Sequence, residues 1–271
     1  MMKTAIVASA LALASTSMAR KVTITNSCSY TVWPGLYTGS GDKPTQATGW
    51  QADPGNTVTF DVPDNWTAGR IWGRRECDFS TNPGPNSCVD GGCNGGLECT
   101  DPGVPPATLA EFTLNANNND YYDVSLVDGF NIPMAITNTG SCSVASCPAD
   151  LNANCTYSIR FSASRRILTP LSPSGPDDIK GPKDSQGNVV GCNSACNANL
   201  DGNPQDSANC CSGSHNTADT CPSSGVAHYD YFKSNCPNSY AYAYDESSGT
   251  ALWMCAYNSA TDYTITFCPS S

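Results

Sequence analysis

The chain has 271 residues, 24 of them acidic against 13 basic, for a formal net charge of −11. That balance makes nucleic acid and anionic membrane poor partners, whereas a neutral polymer such as a polysaccharide does not feel the net charge. Sixteen cysteines, an even number, point to eight disulfides in an oxidising compartment.

Residues 1–19 read as a secretory signal: Lys3, an apolar run from Ala5 to Ala14, then small residues up to a cleavage site at Ser17-Met18-Ala19. The mature chain would begin at Arg20 and be secreted, to the extracellular space or cell wall. Nothing else approaches the roughly 20 apolar residues of a transmembrane helix, so no membrane span is expected. "KVTITNSCSYTVWPG" alternates apolar and polar residues up to Pro34-Gly35, and "TVTFDVP" does the same before Pro63. Asn65-Trp66-Thr67 is an N-glycosylation sequon, as is Asn154-Cys155-Thr156, though the second has a presumed disulfide at its centre.

Two later strands carry acids where acids are disfavoured. In "TLAEFTL", Ala110, Phe112 and Leu114 share one face, and Glu111 shares the other with Leu109 and Thr113. In "YYDVSLVDGF", Tyr122, Val124 and Leu126 form the apolar face, with Asp123 and Ser125 opposite. Asp128 has the wrong parity, but it precedes Gly129, where a turn can re-aim it. On spacing alone two readings stand: a solvated polar sheet face, or paired carboxylates flanking a glycosidic bond.

From Cys142 to Cys236 cysteine becomes dense and alternation is lost, which suggests a second, disulfide-stapled domain inserted between strands of the first. Within it, "VAHYDYFKSNC" places Val226, Tyr229, Phe232 and Lys233 on one face of a short helix. Zinc is the rival reading of Cys192, Cys196, Cys210 and Cys211, disfavoured because His215 and His228 are the only histidines. Those two lack a Ser–Asp arrangement and read as surface or packing residues. Neighbouring Cys210 and Cys211 would make a strained ring if joined, so each should take a separate partner. "GGCNGG" lacks the lysine and helix of a phosphate loop. Tyr240, Tyr242 and Tyr244 share a face if their segment is a strand; the first two read as core, with stacking on sugar rings as the alternative. "YTITFC" closes the chain as another strand. Short strands with this punctuation indicate an antiparallel sandwich.

"RIWGRREC", "CVDGGCNGGLEC", "PPATLAEFTL", "YYDVSLVDGFNIPM", "CNSAC", "YFKSNCPNSYAY" and "YTITFCP" together resemble the thaumatin-like protein family, and most closely its fungal members with β-1,3-glucanase activity. The resemblance implies a mainly β fold, a flattened sandwich from residues 20–74, 106–148 and 237–271. A small Cys-Gly loop domain (75–105) and a partly helical, disulfide-rich domain (149–236) would complete it. It also implies the pairs Cys28–Cys268, Cys77–Cys88, Cys93–Cys99, Cys142–Cys255, Cys147–Cys236, Cys155–Cys192, Cys196–Cys210 and Cys211–Cys221.

The family's acidic cleft maps onto Arg70, Glu111, Asp123, Asp128 and Asp245, with Glu246 adjacent to the last. Where the family commonly has Cys-x-Thr-Gly-Asp-Cys, this chain has "CVDGGC", which moves the acid to Asp90. The resemblance implies a secreted, monomeric endo-β-1,3-glucanase acting on fungal cell-wall glucan, without cofactor or metal. Glu111 would be the general acid, Asp128 the base or nucleophile, and Asp123 and Asp245 would tune the field. The alternative is a non-catalytic glucan-binding or antifungal protein. "TYSIRFSASRRILTP" makes the Cys155–Cys192 connection far longer than an ordinary loop. It is expected to be a disordered insertion, or a translated segment absent from the mature message; deleting 156–169 would restore Cys155-Pro170.

Overall fold

In a computed structural model, residues 20–152, 155, 177–257 and 261–270 are described. Residues 1–19, the segment 156–169 and Asn154 lie outside them. Two five-stranded sheets face each other. The first has the order β3 (Thr57–Val62), β1 (Arg20–Asn26), β10 (Tyr263–Phe267), β7 (Met134–Asn138), β8 (Ala145–Cys147). The second has the order β2 (Gly35–Ser40), β4 (Thr67–Trp72), β5 (Leu109–Ala116), β6 (Asn119–Ser125), β9 (Trp253–Ala256). Alternation makes these strands: β1 buries Val22 and Ile24 and turns Lys21, Thr23 and Thr25 outward. Between the sheets Phe112 stacks on Trp66 at 5.8 Å and meets the edge of Tyr263 at 5.4 Å. Each such fully buried side chain contributes about 1.5–3 kcal/mol.

The structure differs from the sequence reading in three places. The sandwich is not wholly antiparallel, because β1 and β10 run parallel from Val22↔Tyr263 to Asn26↔Phe267. A parallel pair needs a long crossover, and here nearly the whole chain supplies it, closed by Cys28–Cys268. The alternation of "KVTITNSCSYTVWPG" is not one strand. The Asn26 side chain, bonded to the carbonyls of Tyr30 and Ala52 and to the Cys28 amide, ends β1, and a new strand begins at Gly35. Tyr240 to Tyr244 are not a strand either. Only Tyr240 bridges to β6, at Ser125, and a short 3-10 helix follows at Asp245–Ser248.

The cysteines join in the eight pairs named above, and none of them is free. The four of the zinc reading are thereby consumed as disulfides. The helix α1 (Tyr229–Asn235) buries Phe232 against the sandwich core. The sequon residue Asn65 is exposed on the turn between β3 and β4, next to fully buried Trp66.

The loop region between β4 and β5 is docked by Arg74. Its buried guanidinium donates to the carbonyls of Trp33, Pro34, Gly96 and Leu97 at 2.7–3.1 Å. Burial lowers its pKa to about 10, so it stays charged at neutral pH. The displaced acid of "CVDGGC", Asp90, accepts from the Arg75 amide and from Arg75 Nε, both at 3.0 Å. Burial pushes its carboxyl up to about 6.

Candidate functional site

Three adjacent strands of the second sheet bring the central charges into line. Arg70 on β4 lies directly opposite Glu111 on β5, which lies directly opposite Asp123 on β6. These positions share one face, away from the sandwich core, because Ile71, Ala110, Phe112, Tyr122 and Val124 take the other. The alignment depends on local sequence at both ends. Gly69 lets β4 approach Trp66, whose ring a Cβ at this position would meet at 2.4 Å. In "NANNND", Asn115, Asn117 and Asn118 have φ of 52° to 59°, the left-handed region that asparagine tolerates. The hairpin's irregularity thus stays beyond Thr113 and leaves the Glu111–Asp123 register intact.

Asp128 enters from the turn after β6. Gly129 sits at φ +87°, and a Cβ there would meet the Cys192 carbonyl at 2.4 Å, so only glycine fits beside Asp128. The opposite wall comes from the C-terminal segment. Tyr240 is held on β6 by backbone bonds from its amide to the Val124 carbonyl and from the Leu126 amide to its own carbonyl, both 2.9 Å. Its hydroxyl donates to Glu246 Oε1 at 3.2 Å. Together Arg70, Glu111, Asp123, Asp128, Tyr240 and Glu246 line an open cleft of about 420 Å³.

The electrostatics are unbalanced. Arg70 Nε donates to Glu111 Oε1 at 2.9 Å, and among the described residues Arg70 is the one basic side chain lining the cleft, against four carboxyls. Burial, with the Glu111 charge beside it, raises the Asp123 carboxyl well above the usual range. Asp123 Oδ1 is buried and without a hydrogen-bond partner among the described residues. Burial also raises Glu111, opposed by Arg70 and reinforced by Asp128, and raises Asp128, opposed by Arg70. A solvated polar sheet face would leave these groups at ordinary values, and Asp123 is only 9% exposed.

Asp245 is the misplaced member of the expected set. Its side chain is fully buried, pairs with Lys233 Nζ at 2.9 Å, and accepts from the Tyr229 hydroxyl and the Ala241 amide, each at 2.9 Å. It anchors the segment to α1 and does not line the cleft; Glu246, one residue on, does. Alternation could not distinguish these neighbours, because a 3-10 turn decides which one faces out. Tyr240 is core and wall at once, buried but with its hydroxyl in the site. Tyr242 is core, and Tyr244 bonds to the Asn216 carbonyl. His215 contacts the Thr220 carbonyl and His228 pairs with Asp178, so neither joins the cleft.

A family model described as "Thaumatin family" matches residues 26–269. The chain belongs to the thaumatin family. Among its thaumatin-family relatives, the pathogenesis-related thaumatin-like protein 3.5 of Cryptomeria japonica is 40% identical over 253 residues, covering 92% of this chain and 90% of that protein. A Prunus avium protein named glucan endo-1,3-beta-glucosidase is 38% identical over 279 residues, covering 99% and 100%. The solved thaumatin-like xylanase inhibitor TLXI aligns over 92% of this chain and 99% of its own, at 19% identity and a TM-score of 0.44. No helix among the described residues is long and apolar enough to cross a membrane.

Proposed function

We propose that this cleft binds and hydrolyses β-1,3-glucan, the protein acting as a secreted monomer on fungal cell-wall polysaccharide. The carrying observation is the in-register file of Arg70, Glu111 and Asp123, closed by Asp128, around one cation. Glycoside hydrolysis needs one protonated carboxyl to donate to the leaving oxygen and one ionised carboxyl to attack or to activate water. Crowded, half-desolvated carboxyls with a single arginine supply both states at mildly acidic pH. Glu111 is the general acid and Asp128 the base or nucleophile. Asp123, raised furthest, holds a proton and keeps the local charge down. The similarity to a protein named as a glucan endo-1,3-beta-glucosidase supports the substrate class.

A second reading has its own observation. The Glu111–Arg70 ion pair favours an ionised Glu111, which accepts hydrogen bonds from sugar hydroxyls but has no proton to donate. On that reading the cleft binds glucan without turnover. Reducing-sugar release from soluble β-1,3-glucan by the oxidised protein separates the two. Glu111→Gln and Asp128→Asn should each lower release at least ~100-fold, within the range of acid–base catalysis, with melting temperature and co-sedimentation with insoluble glucan unchanged. Glucan binding by the wild type with no sugar released at any pH establishes the second reading instead.

A further inference from the structure

Between β3 and β4 the chain reverses at Pro63-Asp64-Asn65-Trp66, closed by the Trp66 amide donating to the Pro63 carbonyl at 3.0 Å. The residues on either side of Asn65 are tied to the body of the protein. Asp64 accepts the Tyr257 hydroxyl at 2.6 Å and pairs with Arg20 at 3.5 Å. Trp66 is fully buried, with Nε1 donating to Thr38 Oγ1 at 2.7 Å and its ring stacked on Phe112. Asn65 itself is exposed, and among the described residues its carboxamide makes no hydrogen bond. Asparagine is common in turns because its carboxamide bonds nearby backbone. This one does not, so turn formation does not account for it.

Asn65, Trp66 and Thr67 form the acceptor pattern of N-linked glycosylation, an asparagine followed two residues on by a hydroxyl with no proline between. Two structural observations support its use. The fold leaves the acceptor amide exposed and unbonded, as a bulky polar glycan requires. The cysteines are joined as disulfides and none is free, which places folding in an oxidising lumen, the compartment in which glycan transfer also takes place. The other sequon stands in contrast: its central Cys155 is fully buried in the bond to Cys192.

We propose that Asn65 is a modification site carrying one N-linked oligosaccharide. In the transfer, Asn65 Nδ2 bonds to the anomeric carbon of an oligosaccharide held on a polyprenyl diphosphate. The anomeric C–O bond breaks, the polyprenyl diphosphate leaves with that electron pair, and the amide gives up one proton; nothing is oxidised or reduced. Modification at Asn65 requires the secretion in the reading above and is independent of hydrolysis. Thr67 begins β4, whose Ala68 lines the acidic cleft. At most about 11 Å of backbone therefore separates the glycan from that end of the cleft.

The test is mass mapping of the full chain secreted by a eukaryotic cell, through the tryptic peptide that ends at Arg70, before and after peptide-N-glycosidase treatment in heavy-oxygen water. Most secreted chains should carry hexose and N-acetylhexosamine mass on that peptide, and the enzyme should leave a labelled aspartate in place of Asn65. Asn65→Gln and Thr67→Ala should each remove that glycan's mass from the secreted protein, whereas Thr67→Ser should keep it. Because the Asn65 side chain is exposed and unbonded, Asn65→Gln should be secreted and melt as a folded protein, so loss of the glycan is read on folded material. A secreted, fully oxidised wild type whose peptide to Arg70 is unmodified overturns the proposal, as does a glycan at Asn65 that survives Thr67→Ala. Failure of the chain to leave the cell, with Asn65 unmodified, overturns this site and the secreted reading together. An occupied Asn65 in a protein that releases no sugar from β-1,3-glucan counts against the glucanase reading alone.

Discussion

Asp120 and Asp123 lie three residues apart on β6, and the protein treats them oppositely. Asp120 is fully buried and fully answered: it pairs with Arg20, accepts the Tyr263 hydroxyl at 2.9 Å, and accepts the Asn115 amide at 2.9 Å. Asp123 is almost as buried, yet its Oδ1 has no hydrogen-bond partner among the described residues, and it lies directly opposite another acid, Glu111. The two arginines of "GRIWGRREC" repeat the contrast. Arg74 is spent on four carbonyls that dock a loop, whereas Arg70 stands alone among carboxyls. Asp120 and Arg74 are buried and satisfied by their partners, whereas Asp123, on the cleft side, is left in tension. That difference, more than burial itself, marks where chemistry is placed.

Substitutions can break the contrast from the structural side first. Asp120→Asn leaves Arg20 buried beside a neutral amide, and removing one member of a buried pair costs about 3–5 kcal/mol. At roughly 2–4 °C per kcal/mol for a domain of this size, thermal melting should fall by roughly 6–20 °C; an unchanged melting temperature removes the structural role. Asp245→Asn should follow with a smaller loss, about 1.5–3 kcal/mol for charged hydrogen bonds to Lys233 and Tyr229, and sugar release per folded molecule should hold. Glu246→Gln should do the reverse, keeping the melting temperature while displacing the pH profile of glucan hydrolysis. If Asp245→Asn shifts that profile and Glu246→Gln does not, the assignment of the wall is wrong.

Asp123→Asn is the mildest change. The folded-state pKa of Asp123 lies above its unfolded value near 3.9. Stability from this group is therefore full below that value and lost as pH rises through the folded value. Asparagine has no proton to lose, so the variant should be as stable as wild type in acid and equal or more stable at neutral pH. Calorimetric melting at several pH values reads this directly. A variant less stable at neutral pH than in acid, relative to wild type, contradicts the assignment.

Much of this arrangement could be read in the sequence, for definite physical reasons. Period-two alternation marks β1, β3, β5, β6 and β10, because each has one face on the core and one outside. It is silent on β8, three residues long, and on β9, whose Met254 is exposed. Glu111 and Asp123 were legible as neighbours on one face, and the turn at Gly129 as the device that redirects Asp128. Arg70 and the cysteine pairs came from the family resemblance, since no spacing rule says which strand lies beside β5 or which cysteines meet. The choice between Asp245 and Glu246 was not legible. It depends on α1 placing Lys233 and Tyr229 under the turn, a contact between segments that adjacent acids in a sequence do not announce.

The Asp123 carboxyl in the cleft should stay protonated at a pH where an ordinary aspartate is ionised. Carbon-detected titration of the side-chain carboxyls, with Asp123→Asn and Asp120→Asn used to assign the signals, measures it without substrate. The Asp123 carboxyl should titrate well above the usual aspartate range, with Glu111 and Asp128 raised as well. Titration of Asp123 within the ordinary range, near 3.9, would contradict it.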